Sequence, residues 1–102
     1  QQARYELQDR RESVRAEVTT RAEAVREARQ AVRAATTSLE SARAAYRAVQ
    51  SRFEEGMVVV SDLLDAERTL REARSQLAAA QAEYALARAA LDRAVGRSVE
   101  GE

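Results

Sequence analysis

Cysteine, histidine, proline, lysine, tryptophan and isoleucine are all absent from this 102-residue chain, which has only three glycines, one methionine and one phenylalanine. Without Cys or His there is no thiol nucleophile, disulfide, imidazole base or common zinc ligand set, so no cofactor or metal is expected. No apolar run approaches the ~20 residues of a membrane span. The Gln-Gln-Ala-Arg-Tyr start lacks the charged-then-apolar layout of a signal peptide and does not begin with Met, so the chain is expected to be a segment of a longer protein. Charge of one sign is missing too: 17 arginines balance 17 acids, which provides no global field for nucleic acid or an anionic surface.

What the chain does contain is helix-forming. Ala, Arg, Glu and Leu dominate, and nothing from Gln1 to Glu55 breaks a helix. The first breaker is Gly56, followed by the β-branched run Val58-Val59-Val60 and then Ser61-Asp62. Ser61 reads as the N-cap of a second helix, with Asp62 at its positive end. Helix formers resume until Gly96, a candidate C-terminal cap. The boundaries expected are a helix over about 3–55, a turn over about 56–61, a helix over about 62–95 and a fraying tail over 96–102.

Heptads organise both arms. Val18, Val25, Val32, Leu39, Tyr46 and Phe53 recur every seven residues in the first, beside Val14, Arg21, Ala28, Ala35, Ala42 and Val49. The second arm has Leu63, Leu70, Leu77, Tyr84 and Leu91, with Ala66, Ala73, Ala80, Ala87 and Ala94 beside them. The stripes mirror each other about Val58, so the fold class expected is all-α: an antiparallel two-helix coiled-coil hairpin in which large residues of one arm meet Ala of the other. Ser75, Ala78, Ala79, Ala82, Ala85, Leu86 and Ala89 form a second small-residue face, which either raises helix propensity or packs on further helices.

The stretch Arg52-Phe53-Glu54-Glu55-Gly56, Met57 to Ser61 and Asp62-Leu63-Leu64-Asp65-Ala66, reaching Leu70, resembles the periplasmic hairpin tip of the TolC-like outer membrane efflux proteins. An aromatic residue stands three positions before a turn Gly, and an Asp-hydrophobic-Leu-Asp-Ala run opens a Leu-spaced helix. Tyr84 to Gly96 and Val14 to Val18 are similar to the family's helix end and helix start. The resemblance implies a homotrimeric channel with an outer-membrane β-barrel and a periplasmic α-barrel, of which this segment is a wall stave, reaching the membrane only through parts outside it.

It further implies a periplasmic adaptor (membrane fusion) protein as partner, docking at Gly56, Met57, Val58, Val59 and Val60, and a gate or selectivity ring built from Asp62, Asp65, Arg52 and Phe53. Simpler readings stand beside these. Gly56 serves the turn, the valines pack locally, and the two aspartates favour the helix macrodipole. The family's frequent Tyr and its polar residue after the turn are replaced by Phe53 and Val58. A paired-carboxylate enzyme lacks any accompanying nucleophile or His, so no enzymatic activity is expected. The alternative function is a stand-alone coiled-coil hairpin or the hairpin of an adaptor, but the Arg, Leu and Ser tip signature usual in adaptors is absent around Gly56.

Overall fold

A computed structural model describes residues 2–100, with side chains through Val99. It is all-α: α1 spans Gln2–Glu54 and α2 spans Val60–Glu100, joined by a five-residue turn as an antiparallel two-helix hairpin. Contacts divide the chain into two units, one formed by Gln30–Gln81 and one that pairs Gln1–Arg29 with Ala82–Glu102.

In the first unit the heptads become a seam. Leu39 and Ala42 of α1 are buried with Leu70 and Ala73 of α2, and Tyr46 and Leu77 pack against them. Each Ala opposes bulk from the other arm, so neither helix places two large side chains in the same space. The Tyr46 hydroxyl donates to Glu67 Oε1 at 3.4 Å beside this cluster. Phe53 ends the α1 stripe still 39% exposed, because α2 begins only at Val60 and offers it little cover.

In the second unit Val25 and Ala94 are buried, while Val14, Val18, Ala28, Tyr84, Ala87 and Leu91 are partly covered. Arg21, a stripe position by spacing, is exposed. Its long side chain carries the guanidinium out to solvent. Two contacts fix the register: the Arg29 guanidinium lies 5.9 Å from the centroid of the Tyr84 ring, and Arg97 bonds Glu17. Twelve residues back along α1 thus match thirteen forward along α2, as antiparallel helices require.

The second helix departs from its expected bounds at both ends. It starts at Val60, not Asp62, so Ser61 lies inside its first turn and is not the N-cap. It also runs through Gly96 to Glu100, so Gly96 is not a cap and residues 97–100 are not a tail; the rest of the expected tail, 101–102, lies outside the described residues. Gly56 is the one residue with a positive φ among those described, and Gly96 keeps helical geometry. An interior Gly costs only about 1 kcal/mol, and the Arg97–Glu17 ion pair ties the following turn to α1.

Candidate functional site at the hairpin tip

The turn is built from the end of α1. Gly56 N–H donates to the Phe53 carbonyl at 3.0 Å and Met57 N–H donates to the Arg52 carbonyl at 2.8 Å. With Gly56 at φ 74°, these two bonds form a Schellman motif, which satisfies carbonyls that the helix end would otherwise leave unpaired. A left-handed residue is needed there, and Gly supplies it without Cβ strain.

The start of α2 is fixed by Asp62. Its Oδ2 accepts from Val59 N–H at 3.3 Å, while Asp62 N–H donates to the Val59 carbonyl at 3.0 Å. Val59 is therefore the N-cap residue, and Asp62 plays the reaching-back half of a capping box. Ser61 is the residue with a capping hydroxyl, and Val59 has no side-chain acceptor to cap with. The deciding signal was Asp62 three residues after Val59.

With both helix ends capped, most apolar side chains of the turn are left exposed. Met57 is 70% exposed, Val59 63%, Val60 55% and Leu64 53%. Val58 alone is half-covered. Leu64 adds to the patch anticipated from Gly56–Val60. The Leu63-Leu64 pair signals it, since only Leu63 lies on the heptad stripe and its neighbour must point elsewhere.

The polar tip residues are not gathered into one cluster. Asp62 is spent on the cap and Asp65 is exposed, its carbonyl accepting from the Thr69 hydroxyl at 3.1 Å. Among the described residues the ion pairs are Arg88–Asp92 and Arg97–Glu17, so Arg52 meets neither aspartate within the chain. No group of three metal-ligating side chains occurs among them either.

A second polar cluster spans the helices. Arg88 Nη1 donates to the Tyr84 hydroxyl at 3.4 Å, with Arg29 over the ring. Hydrogen bonding from Arg29 first, and from Arg88 next, favours the phenolate and lowers the Tyr84 pKa below its usual 10.0. Ser75, Ala78, Ala79, Ala82, Ala85 and Ala89 are all exposed along α2, as is Leu86 at 70%.

The outer membrane efflux protein family model matches residues 1–97. The chain belongs to that family. Compared with curated proteins and with solved structures, it gives no match. Outer membrane efflux proteins are transport channels, and the described residues form a hairpin of two long helices. No described helix is long and apolar enough to cross a membrane.

Proposed function

We propose that this hairpin is a periplasmic wall stave of an outer membrane efflux or type I secretion channel, and that its tip docks the periplasmic adaptor protein of a tripartite pump. The observation that carries the docking is the exposed apolar cap of Met57, Val59, Val60 and Leu64 beside a turn held by hydrogen bonds of its backbone and of Asp62, not by these side chains. Such a patch gains nothing from water, and the turn does not need its side chains for folding. Gly56 keeps the turn backbone open to a partner, since nothing lies within 4 Å of where its Cβ would stand.

The wall role draws on the exposed face from Ser75 to Ala89, which suits close packing by neighbouring hairpins of a trimeric channel. In that assembly Asp65 is the acid free to face a pore, with Asp62 one turn away and committed to the cap, and with Arg52 and Phe53 beside the turn. Symmetry would repeat them as a ring that favours cations. Lacking a tip hydroxyl at Phe53 or a polar group at Val58, this gate closes by packing.

In the full channel, Gly56→Trp and Val59→Asp are each expected to reduce drug efflux while channel assembly and outer-membrane insertion stay normal. Unchanged resistance with both variants overturns the docking. For the gate, Asp65→Ala in a planar bilayer should weaken cation preference and block by divalent ions, and unchanged selectivity removes the ring.

A further inference from the structure

The chain contains a single sulfur atom: there is no Cys and only one Met. That atom belongs to Met57, which is 70% exposed and stands at the tip among Val59, Val60, Leu64 and Phe53. We propose that Met57 is an oxidation site that switches the tip from apolar to polar, so that peroxide-class oxidants release the docked partner; this rests on the docking function proposed above. The Met57 thioether attacks one oxygen of hydrogen peroxide and the O–O bond breaks. Sulfur gains that oxygen as methionine sulfoxide and is oxidised by two electrons, while the peroxide is reduced to water. A thiol-dependent sulfoxide reductase restores the thioether.

The local structure makes this change a clean one. Met57 contributes to the turn through its backbone, donating 2.8 Å to the Arg52 carbonyl, and the left-handed Gly56 sets the chain direction. The seam cluster of Leu39, Ala42, Leu70 and Ala73 does not include it. Oxidation therefore leaves the hairpin folded and alters only the surface presented. A sulfoxide buried in an apolar interface without a donor is disfavoured, which sets the expected loss of docking affinity at about tenfold or more. All other side chains in the chain resist the same oxidant, since none carries a thiol, thioether or indole.

The first test treats the full chain with hydrogen peroxide. One oxygen should add, at Met57, at the rate of a free methionine peptide, with helix content and melting temperature unchanged. A rate slowed more than about tenfold, or loss of helix, overturns the switch. The second test uses cells that depend on the channel to expel a fluorescent lipophilic dye. A peroxide pulse should slow efflux through the wild-type channel and not through Met57→Leu, and Met57→Gln should be slow without peroxide. If Gly56→Trp impairs efflux but Met57→Gln and the pulse do not, the switch fails and the docking stands. If Gly56→Trp also leaves efflux normal, both fall.

Discussion

A Cβ added at Gly56 would meet nothing within 4 Å, so the penalty for replacing this residue lies in its φ of +74°. Gly56→Ala should therefore cost about 1 kcal/mol, measured as a melting temperature lowered by several degrees. Asp62→Ala, which strips the bond to Val59 N–H, should cost a similar ~0.5–1 kcal/mol, with Asp62→Asn closer to wild type. Tyr84 gives a pH test. Its folded pKa is below the unfolded value of 10.0, so the fold favours phenolate. The stabilisation is absent below the folded pKa, grows as pH rises through it, and is complete above the unfolded value. The melting temperature of wild type relative to Tyr84→Phe should rise as pH is raised from neutral toward 10.0; a difference constant with pH contradicts the Arg29–Tyr84–Arg88 cluster. That cluster was not legible in the sequence, because Arg29 and Tyr84 meet only once the arms are in register.

Between the helices, the heptad stripes sort side chains into those that matter for the hairpin and those that do not. Leu70→Ala removes a buried member of the Leu39–Ala42–Ala73 cluster and should cost about 2–3 kcal/mol by chemical denaturation. Leu86→Ala removes a side chain that is 70% exposed and should change stability of the lone hairpin by less than about 0.5 kcal/mol. Equal effects would show that the seam is not where the structure places it. The seam was readable in advance because a seven-residue period survives any error in where a helix ends. Helix ends were less readable. Ser61 and Gly96 carry the right propensities for caps, yet the side chain of Asp62 and the Arg97–Glu17 pair outweighed them. Likewise spacing placed Arg21 in the stripe, whereas its charge keeps it in water.

For the whole molecule, two helices bury little surface per residue, and Ser75, Ala78, Ala79, Ala82, Ala85, Leu86 and Ala89 stay exposed among the described residues. The isolated hairpin should therefore melt at a temperature that rises with protein concentration, and a high, concentration-independent melt would show that it needs no neighbours. The exposure of Met57, Val59 and Val60 follows from an apolar run beside the turn Gly, while the use of Asp62 as a cap emerged only from the geometry. The channel account assigns different partners to two exposed places on one hairpin. Its most direct test is a photoreactive residue placed in the assembled channel in living cells, at Val59 in one strain and at Leu86 in another. Capture of the periplasmic adaptor from Val59 and of another channel subunit from Leu86 is the predicted result. Adaptor captured from Leu86 but not from Val59, or no subunit captured from Leu86, would contradict it.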